Sequence, residues 1–222
     1  MTAETPVLEP DEVEALLSQI NTRTPTGARN YALLRLMADC GLRLGEALQV
    51  QSGDIKREDW RDENGSTVRV WTLRVRKATT KGKRPRQGLP LSSAVRQALE
   101  RWQEKRAALG IRGGPLFCTV SRGKRRAGFV KTDRQAELVP GTQLSHRYVQ
   151  QLVARLSRKA GIGHVHPHML RHTALTALYD TTRDIRMVQE VAGHASVQTT
   201  QRYTHVHPIR IARAMGAVEN GQ

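Results

Sequence analysis

Four short clusters hold residue types suited to chemistry on a phosphate. They are Gly41-Leu-Arg-Leu-Gly-Glu46, Thr80-Lys-Gly-Lys-Arg84, His166-Pro-His-Met-Leu-Arg-His-Thr173, and Ala192-Gly-His194, which runs on to Thr199-Thr-Gln-Arg-Tyr-Thr-His205. Guanidiniums such as Arg43 and Arg171 can hold the two non-bridging oxygens of a phosphodiester through paired, planar hydrogen bonds. The i, i+3 spacing sets His168 and Arg171 on one helical face. Tyr203 is a poor nucleophile at neutral pH, because a phenol ordinarily ionises near about pH 10 and a neighbour must take its proton. Each cluster alone also has a plainer reading. An arginine near a helix start is ordinarily a surface charge, a hairpin lysine is ordinarily solvated, and a His-x-x-Arg pair is often an exposed stripe.

The elements that would position these groups are readable from periodicity. Pro10, Asp11 and Glu12 open a helix with Val13, Leu16, Leu17 and Ile20 inward, and a Thr/Pro/Gly-rich loop at 22–27 ends it. A second helix, about Ala28 to Cys40, turns in Leu33, Leu34 and Met37 and stops at Gly41, so Arg43 lies beside a helix end. Val68 to Val75 alternates as a strand with one buried face, Lys77 to Gln87 reads as a basic hairpin tip, and Gly88-Leu-Pro-Leu91 is the return strand. Pro90 confines that strand to an edge, and Ile55 is a candidate for a first strand. Ser92 caps a helix burying Val95, Leu99, Trp102 and Leu109 that ends at Gly110. After Leu116 to Val120 comes a Gly/Arg/Lys-rich loop to about Gly141. Helices are then expected at about 143–160 (Val149, Leu152, Val153 and Leu156 inside), 167–180 and 184–192 (Asp184 as cap), with a short one holding Tyr203 and a last one from Pro208 to Met215. The expected class is α+β: mostly helical, with a small antiparallel sheet.

With 222 residues the chain can bury a full core unaided. Cys40 and Cys118 lie far apart in apolar stretches and read as reduced packing residues of a cytoplasmic protein. The opening residues lack the basic flank and apolar run of a secretory signal, and no later run is long enough to span a bilayer. The formal charge of +16 calls for a polyanionic partner. Its distribution is sharper than its total: the first twenty residues carry carboxylates and no Lys or Arg, whereas Asn64 to Leu99 has many Lys and Arg and no carboxylate. Lys77, Lys83, Arg84 and Arg86 on the hairpin, with Arg122, Lys124, Arg125 and Arg126 in the later loop, are the expected phosphate contacts of a nucleic-acid partner, and charge alone would equally suit a ribosomal protein.

In this order, the four clusters resemble the tyrosine recombinase family, which includes phage integrases, Xer-type resolvases and fimbrial-switch invertases. The resemblance spans about Leu8 to Val206, and Pro-His-x-Leu-Arg-His-Thr, Gly-His and Thr-Thr-x-x-Tyr-Thr-His are its most specific parts. It implies that Arg43 and Arg171 clamp the scissile phosphate, that Tyr203 attacks it to give a 3′-phosphotyrosine, and that His168 is the base. It further implies that a hairpin lysine protonates the leaving 5′ oxygen. Lys81 fits that role from its place before Leu-Pro-Leu, yet its spacing to Pro90 is one longer than usual, so Lys77 and Lys83 stay open. His194 matches a histidine that bonds phosphate or supports the site, and Glu46 matches an acid that steadies the first arginine. Ala192, where the family prefers Leu, and Ser52-Gly53-Asp54-Ile55, which lacks a common aromatic, are departures at packing positions. By the same resemblance neither metal nor ATP is needed, the partner is double-stranded DNA, and the protein self-associates on it as a tetrameric synapse. The whole chain is expected to be one catalytic domain, 8–206 as core and 208–222 as a tail that docks on a neighbour, without the family's N-terminal core-binding domain.

Three other readings compete. A zinc site at His164, His166, His168 and His172 lacks Cys or carboxylate partners, and Pro167 disturbs the shared face. A type IB topoisomerase would use a similar Arg, Lys, Arg, His, Tyr set and relax supercoils without joining two sites. A non-catalytic helical DNA-binding regulator would explain the charge and would not need Tyr203.

Overall fold

The computed structural model describes residues 6–76, 86–120, 123–124, 137–138, 140–193 and 215–216. Three helices open the fold: α1 (Pro10–Ser18), α2 (Pro25–Cys40) and the single turn α3 (Leu44–Leu48). β1 (Ile55–Arg61), β2 (Thr67–Val75) and β3 (Arg86–Pro90) follow, then α4 (Ser93–Ala108). β4 (Gly123–Lys124), β5 (Glu137–Leu138), α5 (His146–Ala160), α6 (Pro167–Thr182) and α7 (Ile185–Ala192) complete the described elements.

α2 is the axle, packed against α1, α4 and α6, with Leu33, Leu34, Leu36 and Met37 all fully buried. It starts three residues earlier than the sequence suggests. Pro25 supplies a preset first helical residue, and the Thr24 hydroxyl caps it by accepting the Gly27 amide at 3.1 Å, so a stretch that looks like loop is already helix. Its far end is as expected: Gly41 takes φ +60°, the left-handed conformation that stops a helix.

β2 lies between β1 and β3, both antiparallel to it, with Ile55 opposite Leu73 and Thr72 opposite Pro90. Pro90 therefore sits on an edge strand, where its missing N–H costs no ladder bond. The β2–β3 register slips between Leu73 and Val75, where the hairpin leaves the sheet. Val70, Leu73, Val75 and Leu89 are buried.

α4 buries Val95, Leu99 and Trp102, but Leu109 is 43% exposed, because the helix has ended and the chain turns at Gly110. The basic stretch read as loop contains a two-residue antiparallel ladder between β4 and β5. α5 begins at His146 rather than 143, since the Ser145 hydroxyl caps it by accepting the Tyr148 amide. Val149, Leu152, Val153 and Leu156 are its buried face, as their spacing requires. Asp184 caps α7, accepting from the amides of Arg186 and Met187. Cys40 and Cys118 are buried thiols, not joined in a disulfide. Among the described residues, no helix is long and apolar enough to cross a membrane. The expected helices around Tyr203 and from Pro208 lie outside the described residues, apart from a turn at Met215–Gly216.

Candidate active site

Two arginines from distant parts of the chain meet at one carboxylate. Arg43 occupies the N-cap position of α3, in the short link where Gly41 has just ended α2. Its extended backbone places its own amide 2.8 Å from Glu46 Oε2 and its guanidinium 3.1 Å from Glu46 Oε1. Glu46 thus caps the helix and fixes the arginine at once. Arg171 enters from the second turn of α6, with Nη1 3.7 Å from Glu46 Oε2. Arg171 is 3% exposed and Glu46 6% at their side chains, whereas Arg43 is 28% exposed.

Backbone carbonyls complete the arrangement. Arg171 donates through Nη1 to the Gly41 carbonyl at 2.6 Å and through Nη2 to the Ala192 carbonyl at 2.9 Å. Arg43 Nη1 reaches the same Ala192 carbonyl at 3.3 Å. That oxygen belongs to the last turn of α7, at the helix end where a cation is favoured. Gly41 and Ala192 were not legible as acceptors, because any residue type can offer a carbonyl. The helix-ending glycine before Arg43 was the available signal.

His168 lies one turn before Arg171 and is exposed. Its pKa is pushed down, first by desolvation where it meets the protein and then by the positive charge of Arg171, with smaller contributions from His166, His172 and Arg43. The imidazole is therefore neutral near pH 7 and able to accept a proton. His172 points elsewhere, with Nδ1 3.2 Å from Thr176 Oγ1. The His164 and His166 rings are 6.4 Å apart and tilted, and among the described residues no group of three or more His, Cys, Asp or Glu is placed to hold a metal ion.

The structure thus brings together Arg43, Glu46, His168 and Arg171 of the expected set. Lys81, His194 and Tyr203 lie outside the described residues, as do Lys77, Lys83, Arg84, Arg122, Arg125 and Arg126. Arg86 opens β3 and Lys124 closes β4. One ion pair beside this set had no sequence signal. Arg76, which follows β2, donates from Nε to both oxygens of Asp54, at 3.0 and 2.8 Å. Gly41 also lines a cavity of about 240 Å³ between α2 and α6, shared with Asp39, Leu175, Leu178, Val191 and Met215.

The chain as a whole is similar to proteins already known. The chain is 34% identical over 199 residues to the tyrosine recombinase XerC of Chromohalobacter salexigens, covering 88% of this chain and 54% of that protein. It therefore spans about half the length of the curated relatives it matches. Among solved structures it is similar to the XerH site-specific recombinase bound to difH substrate in a pre-cleavage complex. That likeness has a TM-score of 0.62 and 25% identity, over 95% of this chain and 50% of the other. The Tn1549 transposon integrase in complex with transposon right end DNA shares the fold, with a TM-score of 0.56 and 19% identity over 96% of this chain and 66% of that one. Residues 6–210 match the phage integrase family, and the chain belongs to that family.

Proposed function

We propose that this chain carries out the strand cleavage and rejoining steps of a site-specific DNA recombinase through a covalent bond to Tyr203. The observation that carries this reading is the meeting of Arg43 and Arg171 at Glu46, beside a histidine held neutral. Attack on a phosphodiester concentrates negative charge on the non-bridging oxygens, and a preset pair of guanidiniums stabilises that charge without reorganising. Their electrophilic help removes any need for a metal ion.

In the proposed reaction His168 takes the Tyr203 phenol proton, the tyrosine oxygen bonds to phosphorus, and the 5′ oxygen leaves with a proton from Lys81, or from Lys77 or Lys83. His194 bonds the phosphate and Glu46 holds Arg43 in place. The phosphotyrosine keeps the energy of the broken phosphodiester, so a 5′ hydroxyl from another strand can reverse the attack without ATP. The partner is duplex DNA in the cytoplasm, met through phosphate contacts from Lys77, Lys83, Arg84, Arg86, Arg122, Lys124, Arg125 and Arg126. XerH is described in complex with its difH substrate, and the Tn1549 integrase with DNA, which supports this partner. Strand exchange also needs subunits assembled as a tetramer on two sites.

A nicked suicide substrate tests the proposal. The unmodified protein is expected to form a covalent DNA adduct that Tyr203→Phe abolishes. An adduct that survives this substitution would overturn the assignment.

A further inference from the structure

Asp54 is 2% exposed, directly precedes β1, and spends Oδ2 on the Gln51 amide at 2.9 Å as well as on Arg76. A carboxylate buried this deeply needs a fixed cation, and Arg76 supplies it with two contacts from Nε. Arg76 Nη2 also donates to Gln51 Oε1 at 2.9 Å. The last β1–β2 backbone pair at this end is Ile55 with Leu73, so the side-chain contacts continue the attachment beyond the ladder. Continuation matters here because the β2–β3 ladder is irregular between Leu73 and Val75 before it resumes at Val75 opposite Arg86. The next residue after Arg76 is Lys77, the first of the three lysine candidates.

The return strand passes close to β1. Gly88 has φ +70°, and a Cβ there would come within 3.4 Å of the Trp60 ring, whose Nε1 donates to Glu58 at 3.1 Å. The outgoing leg of the hairpin is therefore held from the turn that precedes β1, and the return leg by its ladder with β2.

We propose that Arg76, Asp54 and Gln51 form a latch at the end of β2, next in sequence to the first candidate lysine, on which protonation of the leaving 5′ oxygen by the hairpin depends. Arg76 and Asp54 are positioning residues, and neither touches the reacting atoms. The inference rests on the proposed function, in which a hairpin lysine is the general acid. In that step the Tyr203 oxygen–phosphorus bond forms, the phosphorus–O5′ bond breaks, and the ammonium proton moves to O5′, leaving a neutral amine and a 5′ hydroxyl.

A substrate with sulfur in place of the bridging 5′ oxygen separates positioning from general support of the fold. A thiolate leaves without being protonated, so a misplaced acid no longer matters. Arg76→Gln alters a half-exposed side chain and is expected to slow single-turnover cleavage of the oxygen substrate about tenfold or more. On the sulfur substrate it is expected to stay within about threefold of the unmodified protein. Asp54→Asn, checked for folding by thermal unfolding, is expected to behave alike. Arg76→Gln carries the test where Asp54→Asn does not fold. Equal slowing of Arg76→Gln on both substrates overturns the latch. Single alanine variants at Lys77, Lys81 and Lys83 identify the acid in parallel. Sulfur rescue of a lysine variant without rescue of Arg76→Gln removes the latch and leaves the lysine acid standing, whereas no rescue at any lysine removes the lysine acid and the latch together, and the proposed function is then judged separately by the Tyr203 adduct.

Discussion

Arg171 donates to the Gly41 carbonyl at 2.6 Å, so the residue that ends α2 also aims an arginine on α6. Gly41 can do this because it takes φ +60° and passes close to Leu175. Gly41→Ala would adopt the left-handed conformation at a cost of about 1–2 kcal/mol. Its Cβ would also lie 3.0 Å from Leu175 Cδ2. A urea unfolding midpoint lowered to match that loss is expected, together with slower cleavage as the carbonyl shifts. An unchanged midpoint would show that the turn tolerates a side chain.

Glu46 faces both arginines from a nearly closed position. Glu46→Gln keeps the shape and an acceptor but removes the charge, leaving two guanidiniums close together. We expect a stability loss of about 1–3 kcal/mol, read from chemical denaturation. Adduct formation should fall further than DNA binding, because positioning of Arg43 is lost while the basic surface remains.

The lowered pKa of His168 sets a sign for pH dependence. The unfolded chain, with an ordinary histidine, binds the proton more readily than the folded one. The His168 contribution to stability is therefore present above the usual histidine range and lost as pH falls through the lowered folded value. For the proposed reaction, the acid limb of the single-turnover rate is expected below the ordinary histidine midpoint of about 6.5. Removing the limb with His168→Gln checks the assignment. A limb that persists in this variant belongs to another group.

With a formal charge of +16, DNA affinity is expected to be strongly salt-dependent. Raising salt from about 50 to about 200 mM should weaken binding by about a thousandfold or more, where six to ten phosphates are neutralised. Fluorescence anisotropy across that range gives the slope. A flat response would mean that the basic residues do not face the DNA backbone.

Period and capping chemistry made most of the fold legible. The buried faces of α1, α4 and α5, the central strand β2, the edge position of Pro90 and the caps at Ser92 and Asp184 all follow from side-chain spacing. The early start of α2 did not, because Thr24 and Pro25 also suit a turn, and Leu109 misled because the apolar pattern runs one residue past the helix end. At the site, the residue types of Arg43, Glu46, His168 and Arg171 were readable from motif order. The backbone acceptors at Gly41 and Ala192 and the Asp54–Arg76 pair were not. Carbonyls carry no sequence identity, and an ion pair joining positions 54 and 76 leaves no periodic trace.

The Ala192 carbonyl accepts from both Arg43 and Arg171. In the proposed reaction an arriving phosphate would compete for the same N–H groups, which makes the docking of the α7 end and the capture of an anion linked equilibria. Whatever draws α7 away from the arginines must strengthen their grip on phosphate by the factor with which phosphate loosens α7. Gly193 leads from that carbonyl directly into the segment bearing His194 and Tyr203. Under the proposed function, substrate occupancy and the seating of the α7 end against the two arginines would be two faces of one coupling free energy.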